Sequence, residues 1–258
     1  MNREWELRDL LLPGGRRLRA RARDGRGRPL VLLHGLLDDS EGWTGLARDA
    51  GLAQLRVDSC VLVGHSLGGA VATSVAERSD GLVCGLALLA PVGYGHVRLA
   101  EAFSLRGVID VAELALPFAL VNPLTMTAAY ATFVAHGHMP SRDLTARLRR
   151  RAFRSGPGVR GAVQAIAAAG RSSHGFAHRR VGFDGPVAAL WGEQDALVSP
   201  SHLEALRRAL PQAHVEVWRG MGHHPQRERP QQLDEFIEVQ AARARPRGRA
   251  APVLQAVS

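Results

Sequence analysis

Five short runs dominated by apolar residues constrain the fold of this chain more than any other feature of its sequence. A strand that packs on both faces carries apolar residues at nearly every position, and such strands form parallel sheets that helices cover on both sides. Each run stops within two residues of a glycine or a proline. The runs are Pro29–Leu33, Cys60–Val63, Leu86–Ala90, Pro186–Trp191 and His214–Trp218. They predict an α/β fold with a mostly parallel sheet.

The segments around these runs predict helices and one hairpin. Residues Gly68–Arg78 and Ser201–Leu210 have the composition of helices that follow strands in such a fold. Nearer the amino terminus, Trp5–Leu12 and Arg17–Ala22 flank a Pro-Gly-Gly turn, and the second stretch alternates Arg with Leu or Ala. This pattern predicts a hairpin with one solvated face.

The chain divides into four regions by composition. Residues 96–180 contain helical stretches such as Val108–Leu120 and Ser141–Arg154 and no convincing strand, which predicts a helical lid inserted into the core. Residues 1–95 and 181–240 then form the two parts of that core. Residues 241–258 are rich in Ala, Arg and Pro and predict a disordered tail.

Cysteine content and charge exclude several classes of protein. With two cysteines in 258 residues, Cys60 and Cys84, the chain has neither a disulfide framework nor a four-cysteine zinc site, and we expect both thiols to be buried. The net charge is +9, yet all 33 basic residues are Arg, and the long basic run at residues 16–28 contains no aromatic residue. Nucleic acid is therefore not an expected partner.

Neither a leader nor a membrane span is expected from this sequence. Residues Met1–Leu10 carry five charges and no apolar stretch of the kind a secretory signal needs. The longest apolar segment, Val108–Val121, is interrupted by two acidic residues and a proline. We expect a cytoplasmic protein that acts on a small molecule, whereas its oligomeric state is not indicated.

The sequence Gly64-His65-Ser66-Leu67-Gly68-Gly69 follows one buried run and opens a helix. A G-x-S-x-G motif in this strand–turn–helix setting places the serine hydroxyl at the top of a sheet. The flanking glycines allow the strand and the helix to approach closely. Ser66 is therefore the candidate nucleophile.

A serine nucleophile needs a base, and the base needs a carboxylate that orients it. Asp195 follows the fourth apolar run and His223 follows the fifth, so both stand where parallel strands end. The order Ser, Asp, His is the one that this topology requires. Glu193 and His224 stand beside the preferred residues and remain alternatives.

A tetrahedral intermediate also needs two backbone N–H donors that stabilise its oxyanion. The residue after the nucleophile, Leu67, supplies one donor, and Leu36 in the loop after the first apolar run supplies the other. Gly35 permits the turn in that loop, and we expect His34 to brace the loop rather than to act as a base.

These motifs together resemble the α/β-hydrolase superfamily, in its lidded branch with a serine nucleophile, over about residues 5–240. That branch includes microbial esterases, lipases and hydrolases of carbon–carbon bonds. The resemblance implies cleavage of an ester-like or acyl bond through an acyl-enzyme, with no cofactor and no metal. The apolar side chains in residues 96–180 favour a small apolar substrate. Ser66 argues against the epoxide hydrolases and haloalkane dehalogenases of the superfamily, which use an aspartate nucleophile.

The sequence departs from this family between the oxyanion loop and the nucleophile. Only 31 residues separate His34 from Ser66, about half the usual interval. One core strand and its glycine-rich turn are missing, and a helix-to-helix junction falls near Asp49–Leu52. We expect the hairpin either to pair with the first parallel strand or to detach, and the core to be less stable than in relatives. A catalytically impaired binding or vestigial module is therefore the alternative to an active hydrolase.

Overall fold

A parallel sheet of five strands forms the centre of the fold. The computed structural model describes residues 6–11, 17–22, 29–35, 59–79, 81–102 and 174–244, with scattered single or paired positions at 38, 43 and between 105 and 171. The strands lie side by side in the same order as in the sequence. They are β3 (Leu30–Leu33), β4 (Cys60–His65), β5 (Val83–Leu89), β6 (Val187–Gly192) and β7 (Ala213–Trp218).

Burial of the strands follows their place in the sheet. Every residue of β4, β5 and β6 is buried, as the apolar runs predicted. The prediction that the first and fifth runs are buried on both faces was wrong. Among the described strands β3 and β7 are the two edges of the sheet, and in β3 only Leu30 is buried. In β7, Val217 is 43% exposed, and Glu216 is only half-buried.

Helices follow the strands close to the predicted positions. A 3-10 turn (Pro200–His202) leads into the helix that begins at Leu203, and the side chain of Ser199 caps the turn by accepting a hydrogen bond from the N–H of Ser201 at 3.2 Å. The final helix runs to Arg243, beyond the predicted boundary of the core at 240, because Ala244 is still buried against the sheet. The helices are α1 (Leu67–Arg78), α2 (Arg98–Ala102), α3 (Leu203–Ala209), α4 (Pro225–Glu228) and α5 (Pro230–Arg243).

Alternate residues of the central strands enter two separate apolar cores, one on each face of the sheet. Leu62 and Leu88 lie on one face, and Val63 and Leu89 lie on the other. The two cysteines are both buried and belong to opposite cores. Burial, reinforced by Cys84, raises the pKa of the Cys60 thiol to about 11, so this thiol is neutral and unreactive at physiological pH.

The amino-terminal hairpin forms a sheet of its own. Strands β1 (Glu6–Leu11) and β2 (Arg17–Ala22) pair antiparallel, with Leu7 opposite Arg21. Among the described strands β3 is an edge of the main sheet, so the hairpin is detached from it rather than paired with it.

Two predicted features fall largely outside the described residues. These are the junction near residues 49–52 and the helices of the segment 96–180, so the missing strand and the lid stay predictions. Within the described part of the chain, no helix is both long and apolar enough to cross a membrane.

Candidate active site

Ser66 occupies a strained turn between β4 and α1. Its φ of 55° and ψ of −118° lie in a region that residues other than glycine rarely adopt. Hydrogen bonds hold the turn in place: the N–H of Ser66 donates to the carbonyl of Leu89 at 2.9 Å, and its carbonyl accepts from the N–H of Val92 at 3.1 Å. The strain is thus maintained by β5 and the loop that follows it.

Three glycines let the backbone pack closely around this turn. A Cβ on Gly64 would lie 2.7 Å from the Cα of Gly69, and one on Gly68 would lie 2.6 Å from the carbonyl oxygen of His34. A Cβ on Gly35 would lie 3.1 Å from the Cβ of Ser66. The predicted close approach of strand and helix is therefore present, and the loop after β3 touches the serine.

Asp195 and His223 form a buried pair in the loops after β6 and β7. Nδ1 of His223 lies 2.7 Å from Oδ2 of Asp195, and both side chains are almost fully shielded from solvent. The other carboxylate oxygen accepts the N–H groups of Leu197 and Val198, each at 2.9 Å. Because a carboxylate only accepts, Nδ1 of His223 carries the hydrogen, and in the neutral ring Nε2 keeps its lone pair.

The two alternative residues make other contacts. Glu193 accepts the backbone N–H of Gly220 at 3.2 Å through Oε2. The Nδ1 atom of His224 lies 3.2 Å from Nε2 of Gln226. Of the four residues that the sequence left open, the structure pairs Asp195 with His223.

A glycine at the end of β6 brings these two loops together. A Cβ on Gly192 would lie 2.7 Å from the backbone carbonyl carbon of Met221, and the N–H of Gln194 donates to the carbonyl of Met221 at 2.9 Å. No larger residue fits between β6 and the loop that carries His223.

The predicted oxyanion donors are described in part. Leu67 is the first residue of α1, so its N–H has no partner within the helix and lies at the positive end of the helix dipole. Leu36 lies outside the described residues. The neighbouring His34 is exposed, and its Nδ1–H donates to the carbonyl of Gly35 at 2.9 Å, which suits a bracing role.

Comparison with known proteins identifies the family. A model of the alpha/beta hydrolase fold matches residues 48–230. The chain belongs to the alpha/beta-hydrolase family. This confirms the resemblance to the superfamily and the predicted α/β fold with a mostly parallel sheet, whereas the lidded branch and the missing strand stay predictions.

One curated relative of this α/β-hydrolase is the dihydrolipoyllysine-residue acetyltransferase component of the acetoin cleaving system of Cupriavidus necator. The two are 27% identical over 221 residues, which cover 80% of this chain and 53% of the relative. The chain therefore spans about half the length of the curated relative that it matches.

Solved structures share the fold at low identity. They include the epoxide hydrolase CorEH (18% identity, TM-score 0.71, 93% of this chain and 99% of that one). A serine hydrolase involved in carbazole degradation has 17% identity and a TM-score of 0.67, with coverage of 93% and 99%. An esterase from Thermogutta terrifontis has 17% identity and a TM-score of 0.62, with coverage of 91% and 97%. At these identities the likeness concerns the fold alone.

A hydrogen-bond network behind the candidate site of this α/β-hydrolase was not predicted from sequence. Nε2–H of His65 donates to the backbone carbonyl of His223 at 2.7 Å. The Gln226 amide nitrogen lies 3.3 Å from Nδ1 of His65 and 3.2 Å from Nδ1 of His224, so it donates toward both rings. The only sequence signal is the cluster of polar residues beside the motif residues.

Burial keeps the imidazole rings of His65 and His224 neutral. It lowers the pKa of His65 well below the usual range, and the proximity of His223 adds to the effect. Burial also lowers the pKa of His224 well below its usual range, followed by the proximity of His65 and His223. A neutral His65 supplies one hydrogen, and the carbonyl of His223 receives it.

Donor atoms of Asp38, His65 and His224 lie within 4.8 Å of one another, a spacing compatible with a metal ion. However, a guanidinium nitrogen of Arg227 lies 2.5 Å from Oδ1 of Asp38. This cation already neutralises the carboxylate and would repel a metal ion, so the chemistry of the group favours an ion pair between Asp38 and Arg227 of α4.

Proposed function

We propose that this α/β-hydrolase is a serine hydrolase that cleaves an ester-like or acyl bond through an acyl-enzyme intermediate. The observation that carries the proposal is the buried contact of 2.7 Å between His223 and Asp195, at the same edge of the sheet as the strained Ser66. In this proposal Ser66 is the nucleophile, His223 the general base and Asp195 the residue that orients it.

The proton on Nδ1 of His223 decides the direction of proton transfer. Because that nitrogen donates to Asp195, Nε2 accepts the Ser66 hydroxyl proton as the oxygen attacks the carbonyl carbon. The imidazolium then returns the proton to the leaving alkoxide, which departs as an alcohol. Water, activated by the same nitrogen, adds to the acyl-enzyme and releases the acid and free Ser66.

The tetrahedral intermediate needs donors where its negative charge develops. The N–H of Leu67, at the start of α1, supports this assignment because it has no partner within the helix. We assign the second donor to Leu36, whose neighbour Gly35 packs against Ser66. A small apolar acyl substrate is proposed from the apolar composition of residues 96–180.

Hydrolysis of a short-chain aryl ester by the purified chain tests the proposal. Ser66→Ala should lower the turnover rate by at least about 10⁴-fold, because the attacking oxygen is lost. Ser74→Ala, a serine on the outer part of α1, is the matched control and should keep the wild-type rate. Covalent labelling by a fluorophosphonate should follow the same pattern.

If the folded wild type is no faster than Ser66→Ala on short and bulky esters alike, the chain is not a hydrolase of this kind. The catalytically impaired binding or vestigial module would then be the better account, with the short interval before Ser66 as its cause.

Acyl transfer is a second candidate, favoured by the C. necator relative that is named as an acetyltransferase component. The acyl-enzyme would be the same, and a thiol would replace water as the acceptor. Adding dihydrolipoamide during ester turnover separates the two. A thioester product that forms in proportion to the thiol supports transfer, whereas unchanged release of the acid supports hydrolysis.

A further inference from the structure

Three potential metal ligands converge where the segment between β5 and β6 leaves the core and where it returns. His96 lies in the loop after β5, and Glu101 lies on α2. His174 approaches them from the far end of that segment, 78 residues further along the chain than His96. None of the three belongs to the candidate active site.

The donor atoms of these side chains are close enough to share one ion. Nδ1 of His96 lies 2.9 Å from Nε2 of His174 and 3.0 Å from Oε1 of Glu101. Nε2 of His174 lies 3.8 Å from the same carboxylate oxygen. The three atoms therefore lie within 3.8 Å of one another.

Hydrogen bonding alone accounts poorly for this arrangement. A carboxylate only accepts, so the contact with Glu101 requires a hydrogen on Nδ1 of His96. That hydrogen cannot point straight at both Glu101 and His174. If His174 donates instead, Nδ1 of His96 has no hydrogen for the carboxylate. A cation at the centre would bind the lone pairs of all three atoms at once.

The distances match the coordination sphere of zinc. Nitrogen and oxygen ligands bind zinc at about 2.0–2.2 Å, which in a tetrahedron places them about 3.3 Å from each other. The observed separations, from 2.9 to 3.8 Å, bracket that value. We propose that His96, Glu101 and His174 form a binding site for a divalent transition-metal ion of the zinc type, which ties the two ends of the segment between β5 and β6 to each other.

The surroundings hold two of the ligands in position. Nε2–H of the buried His202 donates to the backbone carbonyl of His96 at 3.1 Å, and Gly95 packs against the ring of His202. Where the chain returns to the core, the N–H of Phe176 donates to the carbonyl of Gly93 at 2.9 Å. The backbone on both sides of the site is therefore fixed before a metal binds.

Mixed imidazole and carboxylate ligands favour zinc over magnesium, which prefers oxygen ligands throughout. With three protein ligands, a fourth position is left for water. By joining the two ends of this segment, the ion closes a long loop, and cross-links that close long loops stabilise the folded state the most. The role of the ion is thus to position the segment between β5 and β6. This structural role is separate from the proposed chemistry at Ser66.

Zinc chloride titrated by calorimetry into the chelator-treated full chain tests this site without any substrate. We expect one zinc ion per chain and a rise in Tm with zinc. His174→Ala and Glu101→Gln should each weaken zinc binding by at least about tenfold and remove most of the shift in Tm.

His214→Ala is the matched control. This exposed histidine also lies beside a carboxylate, with Nε2 3.4 Å from Oε1 of Glu216, but among the described residues it belongs to no group of three potential metal ligands. The control should bind zinc as the wild type does. The proposal is overturned if the wild type takes up no zinc at micromolar concentrations. It is equally overturned if both variants, folded by circular dichroism, keep wild-type affinity, since the zinc would then sit elsewhere.

Discussion

Acidification should destabilise this α/β-hydrolase through the neutral imidazoles buried behind Ser66. An unfolded histidine has a pKa of about 6.5. In the folded chain the pKa of His65 is well below that, first because of burial and then because of His223. Between the two pKa values only the unfolded chain takes up a proton, so the free energy of unfolding falls as the pH falls.

The size of the effect follows from this linkage. For one histidine that stays neutral in the folded state, lowering the pH from about 7.5 to about 5.5 reduces the free energy of unfolding by about 1.4 kcal/mol. His65 and His224 both have strongly lowered pKa values, so together they account for about twice that amount.

Urea unfolding of the wild type and His65→Gln at these two pH values measures the contribution of His65. Glutamine retains an N–H donor for the carbonyl of His223 and cannot be protonated, so the variant should lose about 1.4 kcal/mol less than the wild type. His214→Gln, which removes an exposed ring, should behave as the wild type does. Equal pH dependence of His65→Gln and the wild type would refute the reasoning.

Two further predictions concern the close packing beside β6 and an ion pair at the end of α1. Gly192→Ala pushes β6 away from Met221, so it should cost about 1–3 kcal/mol of unfolding free energy and abolish ester hydrolysis. Gly182→Ala is its control, because its new Cβ would approach nothing nearer than the Cγ of Glu77, at 3.8 Å. Glu77→Gln removes the ion pair with Arg179, where Nη2 lies 2.7 Å from Oε2, and should cost about 0.5–1 kcal/mol in urea unfolding. A double-mutant cycle with Arg179→Gln that shows no coupling would count against that pair.

The central strands could be predicted because a strand that is buried on both faces is apolar at nearly every position. β4, β5 and β6 each have two neighbours in the sheet, and apart from His65 at the end of β4 they consist of apolar residues and glycine. Among the described strands β3 and β7 lie at the edges, so His214 and Glu216 are tolerated within β7, and the burial of both strands was overestimated. Edge position depends on the whole sheet and is not encoded in one strand.

The candidate site could be narrowed but not completed from the sequence. Chain order and strand ends restricted the acid to Glu193 or Asp195 and the base to His223 or His224. The choice depends on which way each side chain leaves its turn. Asp195 is fixed when its Oδ1 accepts two backbone N–H groups within its own loop, a geometry that neighbouring sequence does not reveal.

The contacts that were missed join residues far apart in the chain. His65 and the carbonyl of His223 are separated by 158 residues, and no spacing rule connects them. Yet this hydrogen bond explains why a buried histidine precedes Ser66. The nucleophile turn and the base loop are joined directly through His65, while Asp195 joins the base to the loop after β6. His223 is thus fixed twice, once at its backbone and once at its ring, and only the second contact sets which nitrogen carries the proton.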